Sequence, residues 1–221
     1  MKQYSIRVSP SDQKKNLQRF NRCLYGVSVG VVNQHIEDIL KGYRWASEKF
    51  KRCCILLGDS LYRFTLQIQK GVNLEESETL ARDSGNQLLE EISLRLTSVP
   101  EVIRCSDVLK TMLFKEKQKE IYILNSTNDR FRDSIAKDAL SFVERQARKG
   151  RLAILRRKAL DLAIFYLIEE VAIYSCLADQ GWLIDVYQGD ELPTLAKIIS
   201  GEIPGVEGSL TKRINISLHS R

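Results

Sequence analysis

Short apolar runs alternate along this chain with stretches whose apolar residues recur every three or four positions. Residues 22–29 (RCLYGVSV) are apolar over the length of a strand and read as a buried one. In the following VNQHIEDILKGYRWASEKF, Ile36, Ile39, Leu40 and Tyr43 fall at helical spacing. KRCCILLGDS reads as a second strand, closed by Gly58-Asp59-Ser60. A polar helical region runs from about Glu75 to Leu96 and is ended by Pro100. Residues 102–105 (VIRC) predict a short third strand, followed by a helix with Ser106 as its N-cap. From Asp129 to Leu177 the pattern predicts two helices. The second carries Leu, Ile and Ala on more than one face, which places it in the core. WLIDVYQ (182–188) reads as a strand, Thr194–Ser200 as a short helix opened by Leu192-Pro193, and INISL in the tail as an edge strand. Strands and helices in alternation predict an α/β fold with a central, mostly parallel sheet flanked by helices. Neither a repeat nor a linker divides the chain, so residues 1–221 read as a single domain.

Composition narrows the class. A chain of 221 residues, 43% hydrophobic and 28% charged, is ordinary for a soluble globular protein with one substantial core. The balance of 34 Lys and Arg against 28 Asp and Glu gives +6, which favours a polyanionic partner. Five cysteines without a C-x-x-C pair read as reduced, buried thiols of a cytoplasmic protein. The two histidines, His35 and His219, cannot make a histidine-rich metal site, and no metal is expected. Residues 1–15 hold no apolar segment of a secretory signal. The apolar stretch 159–178 is interrupted by Asp161, Glu169 and Glu170, so a buried helix is expected there rather than a membrane span.

Two segments carry candidate chemistry. GVSVG (26–30) matches G-x-S-x-G, a serine on a sharp strand-to-helix turn. The same small residues also serve close backbone packing. An α/β-hydrolase would require a downstream histidine, but His35 lies just after the serine and His219 in the tail, and no HGGG-like segment offers an oxyanion hole. FYLIEEVAIY places Tyr166 and Glu170 on one face of the buried helix. A carboxylate buried there needs a partner, such as a ligand's ammonium group; the alternative is that Tyr166 and Glu170 satisfy each other or a structural arginine. Glu169, about 100° round the helix, reads as the solvated member of the pair.

Together, Gly26-Val27-Ser28-Val29-Gly30 after the first strand, Tyr166-Leu167-Ile168-Glu169-Glu170 on a central helix and Val186-Tyr187 ending a later strand resemble the cyclodipeptide synthases. The resemblance spans roughly residues 20–200. Val31 and Gln188 stand where one branch of that family carries Asn and His; Val31 suits the other branch and Gln188 departs from both. The resemblance implies a single Rossmann-like domain similar to the catalytic domain of class I aminoacyl-tRNA synthetases. It implies an aminoacyltransferase that joins two aminoacyl-tRNAs into a cyclic dipeptide by a ping-pong route, without ATP or another cofactor. The absence of G-x-x-x-x-G-K-[ST] and G-x-G-x-x-G segments agrees.

On that resemblance Ser28 takes the first aminoacyl group, Glu170 holds its ammonium, Tyr166 bonds the same group and Tyr187 positions the acyl moiety. Gly26 and Gly30 admit backbone to the acyl carbon, with Val31 beside them. Leu24, Gly26, Leu56 and Ile173 line the first side-chain pocket, whose apolar character implies an aliphatic or aromatic residue. Gln188, Asp190 and Glu191 border a second pocket. Arg145, Arg148, Lys149, Arg151, Arg156, Arg157 and Lys158 form the expected tRNA surface, with Lys110, Lys115, Lys117 and Lys119 as a second cluster. The 75–96 helix has only Arg82 and Arg95. A cytoplasmic monomer is expected. A non-catalytic RNA-binding module and a serine esterase remain the other readings.

Overall fold

The computed structural model describes residues 4–30 and 35–220. Six strands form one sheet in the order β1-β6-β5-β2-β3-β4, where β1 is Tyr4–Ser9, β2 Arg22–Val27, β3 Arg52–Leu57, β4 Glu101–Arg104, β5 Ile184–Tyr187 and β6 Ile214–Ser220. All neighbours run parallel except β1, which is antiparallel to β6. The helices are α1 (Ile36–Lys49), α2 (Asp59–Lys70), α3 (Leu74–Ser93), a single turn α4 (Cys105–Val108), α5 (Met112–Thr127), α6 (Asp129–Arg148), α7 (Arg156–Asp179) and α8 (Pro193–Ile199).

Period-two alternation assigns each strand's side chains to a face. Cys23, Tyr25, Val27, Ile55, Leu57, Ile184, Val186, Ile214 and Ile216 pack with Ile39, Leu40 and Ala46 of α1 and Ile92 of α3. Leu24, Cys54 and Leu56 face the opposite way, into a second core built with α5, α6 and the middle of α7. Helix α7 is buried from Ala159 to Ala178 on most of its circumference because it lies between the sheet and α5 and α6.

Three expectations are corrected. INISL is not an edge: β6 lies between β1 and β5, and β1 is the edge. Its polar alternates, Asn215 and Ser217, are buried, so the pattern that resembles a half-solvated strand reflects a polar interior. Ser106 is not an N-cap: its amide and Oγ both donate to the carboxylate of Asp59, at 3.0 and 2.7 Å. The chain makes one turn there, and α5 is capped by Thr111, whose Oγ1 accepts from the Phe114 amide. Sequence periodicity also passes over α2, although Leu61, Phe64, Leu66 and Ile68 are all buried.

Candidate active site

The chain leaves β2 at Val27, turns at Ser28 and passes through Gly30, which has φ +75°. A Cβ on Gly30 would fall 2.1 Å from the ring of Tyr62, so only glycine fits that turn. Beside β2, strand β5 ends on Tyr187, the register partner of Gly26. Its hydroxyl lies 3.1 Å from Ser28 Oγ, and either oxygen can donate. Gly26 keeps the two close: a Cβ there would meet Tyr187 Cδ2 at 3.1 Å.

Helix α7 crosses above and contributes the other two groups. Tyr166 is held between Phe64, edge-on at 6.2 Å, and Phe142, stacked at 6.1 Å. Glu170 follows one turn on, and the Tyr166 hydroxyl acts to lower its pKa. Ser28, Tyr187, Tyr166 and Glu170 line one cavity of about 700 Å³, within the range of small-molecule sites. Enclosure by protein pushes Glu170 up to about 7, with Asp185 and Asp138 adding to the rise and the Tyr166 hydroxyl and Arg213 opposing it. The Tyr187 hydroxyl is also raised by burial, against the bond from Ser28. Neither histidine lines the cavity. The arrangement sets the Ser28 hydroxyl and the Glu170 carboxyl on the wall of one cavity.

Gly26, Gly30, Leu56 and Ile173 line this cavity, and Asp190 and Glu191, expected at a second pocket, line the same one. Leu24 does not: it is fully buried beneath the floor, in the core. Gln188 also lies elsewhere, donating to the Tyr4 hydroxyl at 3.2 Å and to the Asp38 carbonyl. Val31 is outside the described residues. Glu169 is not solvated; it is buried, and both its oxygens accept from Arg63, at 2.7 and 2.5 Å. The seven-residue basic run divides. Arg145, Lys149 and Arg151 line the cavity, whereas Arg148, Arg156, Arg157 and Lys158 do not, and Arg156 pairs with Glu144 at 3.1 Å. Lys117 leaves the second cluster, since it is buried between Glu120 and Asp179, each at 2.9 Å. Sequence reasoning passed over Asp185, Arg213 and Asn215, whose only local signal was the polar alternates of IDVY and RINIS, and Tyr174 of α7; all four line the same cavity.

Among the described residues no helix is long and apolar enough to cross a membrane, and no three His, Cys, Asp or Glu side chains group to hold a metal ion. No family model and no curated protein matches the sequence. Solved structures do. A cyclodipeptide synthase from Fluoribacter dumoffii superposes with a TM-score of 0.76 at 23% identity, covering 98% of both chains. One from Bacillus thermoamylovorans gives 0.80 at 15% identity, covering 99% of this chain and 96% of that one. The fold is that of the cyclodipeptide synthases. A synthase of this fold from Candidatus Glomeribacter gigasporarum, solved bound to Phe-tRNAPhe, gives 0.66 at 17% identity over 95% of this chain and 94% of its own. The cyclodipeptide synthase fold extends to the class I synthetases: tyrosyl-tRNA synthetase from Archaeoglobus fulgidus gives 0.59 at 13% identity over 96% of this chain and 59% of that chain.

Proposed function

We propose that this chain is an aminoacyltransferase that joins two aminoacyl groups, each delivered by tRNA, into a cyclic dipeptide through an aminoacyl ester on Ser28. The observation that carries the reading is the convergence of Ser28, Tyr187, Tyr166 and Glu170, from three distant segments, on one cavity. The likeness in fold to a synthase solved with Phe-tRNAPhe supports tRNA as the donor.

In the first step Ser28 Oγ attacks the ester carbonyl of an aminoacyl-tRNA, the bond to the ribose oxygen breaks, and that oxygen takes the serine's proton. Glu170 as carboxylate holds the α-ammonium, with Tyr166 completing the site, and Tyr187 orients Ser28 Oγ. The amine of a second aminoacyl-tRNA then attacks the Ser28 ester and frees the serine. The dipeptidyl ester left on tRNA cyclises as its own amine displaces the ribose oxygen. Each ester is already activated, so the scheme uses no cofactor or metal. One chain supplies all four groups, and a monomer in the cytoplasm, where charged tRNA is found, suffices. Arg145, Lys149 and Arg151 beside the cavity offer phosphate contacts to the acceptor end.

Incubation with charged tRNAs, followed by mass spectrometry for diketopiperazines, tests the reading. Ser28→Ala should give no cyclic dipeptide and no acyl-enzyme; undiminished synthesis would refute the assignment. Binding of tRNA without turnover would favour an RNA-binding module, and cleavage of simple activated esters without tRNA would favour an esterase.

A further inference from the structure

We infer that the pocket for the first amino acid has a polar floor, where Asp185 selects an uncharged side chain that donates a hydrogen bond. The inference rests on the reading of Ser28 as the acceptor of the first aminoacyl group.

The observation begins with alternation on two strands. Along β5 and β6, Ile184, Val186, Ile214 and Ile216 point into the core beneath α1. Asp185, Tyr187, Asn215 and Ser217 take the other face, and Asp185 pairs in register with Asn215, and Tyr187 with Ser217. Polar alternates of a strand usually face water, yet Asp185 and Asn215 are each only 5% exposed and Ser217 2%. Asp185 connects instead to Tyr174 of α7 through Arg213. Across β2 and β3 the same face is apolar, with Leu24, Cys54 and Leu56. The floor of the cavity is therefore polar on one side.

Within that floor the partners are incomplete. Asp185 Oδ2 lies 3.2 Å from Arg213 Nη2, and the Arg213 guanidinium, itself 3% exposed, stacks 3.9 Å over the ring of Tyr174. Asn215 Nδ2 donates to Ser217 Oγ at 3.0 Å. Asp185 Oδ1 has no partner. An enclosed carboxylate oxygen left unmet is costly, so a donor from a ligand is favoured there. Asp185 lies two residues below Tyr187, about 6.6 Å down the strand from the bond to Ser28. That distance matches the reach of an amino-acid side chain whose carbonyl sits at Ser28 and whose ammonium sits at Glu170. Gly26 opens the path, since a Cβ there would stand 3.9 Å from Oδ1 and 3.1 Å from the Tyr187 ring.

Charge decides what kind of donor. Arg213 pairs with Asp185 at 3.2 Å, so a lysine or arginine side chain brought to Oδ1 would stand beside a second buried cation. A hydroxyl or carboxamide meets Oδ1 at no such cost. An aliphatic side chain would bury Oδ1 without a partner, the situation that lets binding sites reject analogues lacking a donor group.

The test presents the full-length protein with each charged tRNA separately and reads the mass added to Ser28, together with any cyclic dipeptide. Hydroxyl- or carboxamide-bearing residues should acylate Ser28 roughly a hundredfold faster than aliphatic residues of similar size. The double variant Asp185→Leu with Arg213→Met removes the pair as a unit and should reverse that order. Should the double variant not fold, Asp185→Asn, which keeps the shape, should still narrow the preference at least tenfold. Acylation by aliphatic residues as fast as by donor-bearing ones in the wild type, or a preference unchanged in Asp185→Asn, would overturn the inference and leave the role of Ser28 standing. No acylation by any charged tRNA would overturn that role and the inference with it.

Discussion

Two adjacent glutamates on α7 meet opposite fates, and substitution should separate them. Glu170 faces the cavity with Tyr166 as its partner and is raised from 4.5 to about 7. Its folded form therefore holds a proton that the unfolded chain releases, so this residue's effect on stability declines as pH rises from about 4.5 through 7. Glu170→Gln should stabilise the protein by about 3 kcal/mol at pH 8 and far less at pH 5, as urea unfolding at the two values would show. The same variant should lose roughly a hundredfold in acylation, since a charge-assisted bond to the ammonium of about 2–3 kcal/mol is removed. In the free protein, acylation should fall below about pH 7 as Glu170 takes up its proton. Glu169 behaves differently because both its oxygens are held by Arg63, with side-chain exposures of 6% and 11%. Glu169→Gln should cost about 3 kcal/mol by removing the carboxylate that holds both arms of a buried guanidinium, which keeps Glu78 at 4.0 Å as its one carboxylate among the described residues, while the folded fraction keeps its acylation rate.

At the scale of elements, the site depends on how closely two strands and a turn approach each other. Gly26 on β2 faces Tyr187 on β5, and Gly26→Ala would press a methyl to within 3.1 Å of the tyrosine ring. The ring can tilt, so stability should change by about 1 kcal/mol or less, but the 3.1 Å bond to Ser28 would be disturbed. A tenfold or greater loss of acylation at nearly unchanged melting temperature is expected. Gly30→Ala is harsher, since φ +75° and the Tyr62 ring at 2.1 Å both oppose a side chain. It should destabilise by about 1–3 kcal/mol and move Ser28 out of register, visible as lowered melting temperature and lost acylation together.

Over the whole molecule, the excess of +6 matters less than its placement. Arg145, Lys149 and Arg151 stand beside the cavity, whereas Arg156 is paired with Glu144. Replacing the first three with alanine should weaken tRNA binding and lower the slope of log affinity against log salt by about 2 to 3. Arg156→Ala should leave that slope nearly unchanged. Filter binding at several salt concentrations measures both.

Local pattern was enough for the α/β class and for the runs that became β2, β3 and α1, because each rests on contacts within one element; Ser28, Tyr166, Glu170 and Tyr187 were singled out as a set by the resemblance of short motifs. A buried strand is continuous in apolar residues, and a tyrosine and a glutamate four apart on a helix must share a face. The fate of Glu169 was not legible, because Arg63 that holds it belongs to α2, more than a hundred residues away. Gln188 follows Tyr187 in the chain yet turns to the opposite face, as period-two alternation dictates once β5 is fixed in its register. Asp185, Arg213 and Asn215 become a cavity floor only because β6 inserts between β1 and β5. Read along the chain, their polarity means a solvated strand face; in the assembled sheet Asp185 pairs with Arg213, which stacks on Tyr174 of α7, and the same polarity lines a cavity.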